Sequence, residues 1–254
     1  MSDISDWWST EIIEMEPGSI SLRGIPIKNL IGKKNFSEMI WFMTTGKEIN
    51  KKKLHLFEAA LVAAVDHGPQ APSIAAARMS ATCGVSINNS LATGINMLGD
   101  IHGGAGQQAL ELYFQIENQG IENIRNILLE NKSLNNGFVP GFGHRFHKTG
   151  DPRTPRLLDL VDNAVKDGEI SGKFVKIGRQ IEKDLSNKKV IPMNIDGATA
   201  VIYAELGCPP PLARGLFCLS RSVGILAHTW EQMQKNERIK GPTPPNYKWS
   251  YKGK

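Results

Sequence analysis

The chain has 254 residues, 41% hydrophobic and 22% charged, enough for one large domain or two modest ones with a real core. No apolar run approaches the ~20 residues of a membrane span. The acidic, polar start Met1-Ser2-Asp3-Ile4-Ser5-Asp6 lacks the cationic flank and apolar stretch of a signal peptide, so the expected location is the cytoplasm. The formal charge of +5 is scattered apart from Lys51-Lys52-Lys53, which reads as a solvated helix start. Such an excess suits nucleic acid or a polyanionic small molecule, and composition does not choose between them. Cys83, Cys208 and Cys218 fall in no metal-ligand spacing and read as small core hydrophobes of a reducing compartment.

In chain order, the first element is a short hairpin at 19–27 (SISLRGIPI), turning at Arg23-Gly24. Helical spacing of apolar residues follows at 51–65, and a further helical stretch at 72–98 is rich in Ala, Ser, Met, Ile and Leu, its small residues letting neighbouring helices approach closely. Further helices are expected at 105–130, 154–166, 171–186, 197–206 and 210–236. Three loops interrupt them: 66–72 (DHGPQAP), the long Gly- and Pro-rich 131–155, and 187–197 (NKKVIPMNIDG). Long loops without structure of their own are often functional. The basic, proline-bearing tail 237–254 is expected on the surface.

His67, His102, His144 and His147 all sit in or beside these glycine-rich loops, where backbone and ligand can come close. Any one of them, taken alone, reads more simply as a hydrogen-bonded structural residue. Asp196, just before a helical run, reads from spacing alone as a helix N-cap. Arg153 and Arg221 are by default surface or ion-pair residues, and otherwise a bidentate grip on carboxylates. No H-E-x-x-H, C-x-x-C, P-loop lysine or G-x-S-x-G motif is present, and 137–145 lacks dinucleotide-fingerprint spacing. A metal site built from the histidines ranks below acid–base use.

Three ordered motifs resemble the citrate synthase superfamily. Asp100-Ile101-His102-Gly103-Gly104-Ala105 is similar to its first histidine motif. Val139-Pro140-Gly141-Phe142-Gly143-His144, followed by Lys148-Thr149-Gly150-Asp151-Pro152-Arg153, is similar to its second histidine loop and arginine. Ile195-Asp196-Gly197 resembles its catalytic aspartate. Asp66-His67-Gly68-Pro69, Ser220-Arg221-Ser222-Val223-Gly224 and the hairpin Leu22–Ile27 add to the match, which runs from about residue 19 to 235. The phrases DHGPQAPS and GHRFHKTGDPR look closer to the compact citryl-CoA lyase-like branch, which includes the C-terminal module of ATP-citrate lyase. Unlike that module, this chain keeps a histidine at position 102.

The resemblance implies an all-α fold with a short N-terminal hairpin. It implies a larger domain, 1–104 with 206–254, and an inserted smaller one, 105–205, carrying the CoA loop. It implies an enzyme that makes or breaks a carbon–carbon bond between an acyl-CoA and an oxo-acid, or cleaves citryl-CoA. Asp196 would be the base, His102 the donor to the thioester oxygen and His144 the donor to the oxo-acid ketone. His67, Arg153 and Arg221 would hold carboxylates, while Val139, Gly141, Gly143, Arg145 and Lys148 would meet CoA. The thioester would be the substrate, with no metal and no tightly bound cofactor, in a homodimer or higher homo-oligomer. A 2-methylcitrate synthase-like reaction and a non-catalytic CoA- or citrate-binding subunit are the alternatives. Nucleic-acid binding rests on the isoelectric point of about 9.0 alone. One departure stands out. The family has a further arginine beyond the one matching Arg221, and a count without gaps puts Gly241 there. Either Lys240 or Arg238 takes its part, or the substrate lacks that carboxylate.

Overall fold

The computed structural model describes residues 4–186, 189–239, 241, 244 and 246–253. Met1–Asp3 of the polar start, Asn187 and Lys188 of the third loop, and Lys240 and Pro242 of the tail lie outside the described residues. Contacts gather the chain into two compact units, Met1–Glu58 and Ala59–Lys254.

In the first unit, β1 (Ile13–Glu16), β2 (Ser19–Leu22) and β3 (Ile25–Pro26) form an antiparallel sheet in that order. Ser21 faces Pro26 and Leu22 faces Ile25, as expected of a hairpin turning at Arg23-Gly24. Both turn residues have positive φ, 49° and 78°, the left-handed pair that matches strand twist in a two-residue hairpin. The sequence reading missed β1, which pairs Ile13 with Leu22 and Glu16 with Ser19. It also missed α2 (Phe36–Thr45), which follows a short helix, α1 (Ile4–Trp7). The start of α2 is a capping box between Asn35 and Glu38, and its end is the left-handed Gly46. The edge of the Trp41 ring meets Phe57 with centroids 5.3 Å apart.

Helix α3 (Lys51–Ala63) crosses from the first unit into the second. The helix expected over 72–98 is two, α4 (Pro72–Ala81) and α5 (Ile87–Asn96), broken at Gly84 with φ +82°. The helix expected over 105–130 is also two, α6 (Ala105–Gln119) and α7 (Ile124–Leu134), broken at Gly120 with φ +89°. The remaining helices are α8 (Arg153–Lys166), α9 (Lys173–Leu185), α10 (Ile195–Glu205) and α11 (Pro210–Gln234), close to expectation.

Helices α4, α5 and α11 pack together around Ala71, Ile74, Ala77 and Ile225. The small residues do allow close approach: a Cβ on Gly94 would lie 2.6 Å from Ile225 Cγ2. Helix α10 is buried at most positions and lies among α6, α8 and α9. Tyr113 of α6, fully buried, donates to the Gly197 carbonyl at 3.1 Å. Helix α6 also contacts α11. The tail residues described beyond Lys235 are exposed, as expected. Cys208 is buried and Cys218 half-buried, but Cys83 is exposed at the C-terminal end of α4, so it is no core residue. Among the described residues no helix is long and apolar enough to cross a membrane.

Candidate active site

The long loop after α7 is held by the loop before α10. Phe142 bridges Met193 in antiparallel fashion, Gly143 N–H donates to Pro192 O at 2.7 Å, and Asn194 N–H donates to Gly141 O at 3.0 Å. A Cβ on Gly141 would sit 2.9 Å from Gly197 Cα and 2.9 Å from Ala109 Cβ, and φ there is +86°. Gly141 therefore serves a backbone crossing that puts the start of α10 beside His144.

Asp196 is not the N-cap. Asn194 takes that place, its side-chain oxygen accepting from Asp196 N–H at 2.9 Å and Gly197 N–H at 3.2 Å. The cap reading of Asp196 is thus overturned, and its carboxylate is left to other use. Among the described residues no donor hydrogen-bonds that carboxylate. Burial pushes its pKa above the ordinary aspartate value, outweighing the opposing pull of the Arg221 and Arg153 charges.

The two motif histidines are fixed in complementary ways. His102 lies in the turn between α5 and α6, which is tied to α11 by Asp100 and Arg214 at 2.7 Å. Its Nε2 accepts the N–H of Ser73 at 3.2 Å and lies 2.9 Å from Ser73 Oγ. Burial and then the Arg221 charge hold its pKa below 6.5. A neutral ring with Nε2 as acceptor carries its proton on Nδ1. His144 is the reverse. Its Nδ1 accepts N–H groups from Phe146 and His147, both at 3.1 Å, so its proton is on Nε2. Burial again lowers its pKa, helped by the neighbouring cations and opposed by Asp151. Each ring therefore presents one N–H donor near neutral pH.

His67 lies 5.6 Å from His144, ring centre to ring centre. Partial removal from water, then Arg221 and Arg153, depress its pKa. Arg153 is clamped by the buried Asp151, which accepts from Nε and Nη2, each at 2.9 Å. Asp151 also accepts from Ile195 N–H at 3.2 Å; burial alone would raise its pKa, but Arg153 and Ile195 N–H together outweigh it and bring the pKa down to about 2. Arg221 is buried, with Nε on Ala64 O at 3.1 Å and its guanidinium over the Phe217 ring at 4.9 Å. Its terminal nitrogens have no hydrogen-bond partner among the described residues.

The six residues His67, His102, His144, Arg153, Asp196 and Arg221 line one hollow of about 210 Å³. A neighbouring hollow of about 640 Å³ shares His67, His102 and His144 and reaches Gly143 and Arg145. Those last two, with His144, open into a third of about 540 Å³, lined also by Val139 and Lys148. Of the residues expected to meet CoA, Val139, Gly143, Arg145 and Lys148 line this third cavity and Gly141 does not. Lys132 of α7 and Lys189 also line it, and the sequence reading missed both. It missed Ser73, Asp151 and Asn194 as well. Of these only Asn194 carried a local signal, a cap residue immediately before a helix. His147 stacks near His144, with centroids 4.6 Å apart, but lines none of these hollows. Among the described residues no group of His, Cys, Asp and Glu is placed to hold a metal ion.

A family model described as citrate synthase, C-terminal domain, matches residues 42–243. The citrate synthase of Haloferax volcanii is 29% identical over 210 residues, covering 81% of this chain and 54% of that protein, so this chain spans about half its length. The structure of citryl-CoA lyase from Hydrogenobacter thermophilus superposes with a TM-score of 0.85 at 29% identity, covering 97% of this chain and 95% of that one. ATP citrate lyase from Methanothrix soehngenii, solved with citrate and coenzyme A, shares the fold at a TM-score of 0.83 and 20% identity, covering 100% of this chain and 45% of that one. With the model matching most of the chain, the chain belongs to the citrate synthase family.

Proposed function

We propose that this protein makes or breaks the carbon–carbon bond of citryl-CoA, exchanging it with acetyl-CoA and oxaloacetate. The observation that carries the reading is the meeting in one hollow of the Asp196 carboxylate, which has no hydrogen-bond donor among the described residues, with two histidines pinned as N–H donors. The likeness to a citryl-CoA lyase over nearly the whole of both chains supports citryl-CoA as the thioester.

A thioester methyl is a very weak acid, so its deprotonation needs a base and a donor to the enol oxygen at once. Asp196 takes the proton and His102 Nδ1–H donates to the thioester oxygen. The enol carbon then attacks the ketone carbon under a hydrogen bond from His144 Nε2–H to the ketone oxygen, which becomes a hydroxyl by taking a proton from solvent as Asp196 releases its own. In reverse, the hydroxyl proton leaves to solvent while His144 Nε2–H stays on the oxygen, the bond's electron pair passes to the enol, and Asp196, protonated from solvent, gives its proton to carbon. Arg153 and Arg221 hold carboxylates with the N–H groups that Asp151, Ala63 and Ala64 leave over, and His67 completes the grip. Lys132, Arg145, Lys148 and Lys189 around the third cavity suit the phosphates of CoA. The middle hollow gives its pantetheine arm a path to His102.

On the same reading, residues 105–205 form a smaller domain that closes over the larger. The working unit is a homodimer in the cytoplasm, and no tightly bound cofactor takes part. The test incubates the purified protein with acetyl-CoA and oxaloacetate, then with citryl-CoA, following free CoA and oxaloacetate by mass spectrometry. Turnover of citryl-CoA in at least one direction is expected. No turnover of any of these, under conditions where the protein is folded, refutes the proposal.

A further inference from the structure

One face of α11 grips the segment leading into His67. Ser220 Oγ donates to Leu61 O at 2.5 Å, Arg221 Nε to Ala64 O at 3.1 Å, and Gly224 N–H to Val65 O at 3.1 Å. A Cβ on Gly224 would lie 2.2 Å from Val65 O and 2.9 Å from Asp66 Oδ1, so only glycine allows this approach. One turn further along α11 is His228, whose Nε2 lies 3.2 Å from Asp66 Oδ1. Its Nδ1 lies 3.2 Å from Arg78 Nη1, a group that can only donate. The ring proton therefore sits on Nε2, facing Asp66. Arg78 is held in turn by Glu231 at 2.5 Å. Asp66 Oδ2 is committed to Gly68 N–H at 3.0 Å, while Oδ1 is buried and has no aligned hydrogen-bond donor among the described residues, the ring nitrogen of His228 standing beside it as its ion-pair neighbour.

We propose that His228 is a positioning residue for His67. By holding Asp66 Oδ1 it seats the Asp66–Gly68 turn on α11, and this sets the direction in which the next residue, His67, presents its ring toward His144. His228 lines neither hollow that His67 lines, so it acts only through Asp66. The kinetic part of this inference rests on the proposed role of His67 in binding the oxo-acid, whereas the ring-orientation part does not.

The test compares His228→Leu, which removes both nitrogen contacts, with His228→Gln, which keeps an N–H donor. In His228→Leu the KM for oxaloacetate should rise about three- to tenfold, the scale of one lost polar contact, with kcat changing less. His228→Gln should recover most of it. Nitrogen-15 NMR of the histidine rings gives a readout that needs no turnover. The His67 signals should move in His228→Leu and return in His228→Gln, while those of His102 stay in place. Arg78→Met, which removes the donor that sets the His228 tautomer, should move the same His67 signals and serves if His228→Leu does not fold. Unmoved His67 signals in the folded variants overturn the proposal. So does a KM rise that His228→Gln fails to reverse. A wild-type protein without turnover on these substrates would refute the functional reading, and the His67 signals would still decide this one.

Discussion

Asp196 and Asn194 stand two residues apart at the start of one helix, and the structure divides their work cleanly. Asn194 caps α10 and also donates from Nδ2 to Gly143 O at 2.6 Å. Its replacement by alanine removes a cap of about 0.5–2 kcal/mol and a hydrogen bond of about 0.5–1.5 kcal/mol. At about 2–4 °C per kcal/mol in a chain of this size, the melting temperature of Asn194→Ala should fall by roughly 2–14 °C. Asp196 makes no cap bond, and its raised pKa means that the folded state disfavours its charge. The sign follows from linkage. A carboxylate with a folded pKa above the unfolded one lowers stability as pH rises through those values, so Asp196→Asn should melt no lower than wild type at neutral pH. Turnover should behave the opposite way. Loss of a positioned base costs about 10²–10⁴-fold in kcat, or about 3–5 kcal/mol in the barrier. In wild type the activity should fall on acidification through a pKa above the ordinary aspartate range, since only ionised Asp196 can take the proton. Calorimetry and a coupled assay for free CoA measure the two effects. An Asp196→Asn protein that melts well below wild type yet turns over normally would return this residue to a structural role and refute the reasoning.

Three further outcomes follow from the same geometry. Ser73→Ala leaves the backbone N–H on His102 but removes Oγ, and should lower kcat about three- to tenfold, with nitrogen-15 NMR showing the Nδ1–H tautomer less strictly held; an unchanged tautomer and rate would discount Ser73. Asp151, whose pKa drops from 3.8 to about 2 on folding, adds stability that is complete above its unfolded value and is lost as pH falls between about 4 and 2. Acid unfolding monitored by circular dichroism should therefore be less steep over that window in Asp151→Asn than in wild type. Gly141→Ala sets a Cβ against Gly197 Cα at 2.9 Å with φ at +86°, and should cost about 1–3 kcal/mol as well as displacing His144 from Asp196. A Gly141→Ala protein with wild-type melting and turnover would show the crossing to be slack.

Much of this architecture was legible because helices announce themselves by apolar period and loops by glycine and proline. The failures have local causes. Gly84 and Gly120 break helices at positions where apolar residues continue on both sides, so periodicity alone runs straight through them. Strand β1 is Ile-Glu-Met-Glu, four exposed residues whose pairing comes from β2 and not from their own burial. The candidate site divides in the same way. Its six side chains could be chosen from motif order, and one hollow receives them all. Their protonation could not be chosen. Which nitrogen of His102 carries the proton depends on Ser73, at the start of another helix, and for His144 it depends on two backbone N–H groups of its own turn. Gly141 shows the same limit: a glycine that lets a ligand approach and one that lets two backbones cross both need only a missing Cβ. What turns two histidines into N–H donors around one hollow is therefore the placement of unlabelled backbone groups. That placement exists only once α4 has folded against the turn that carries His102, and the long loop against the start of α10.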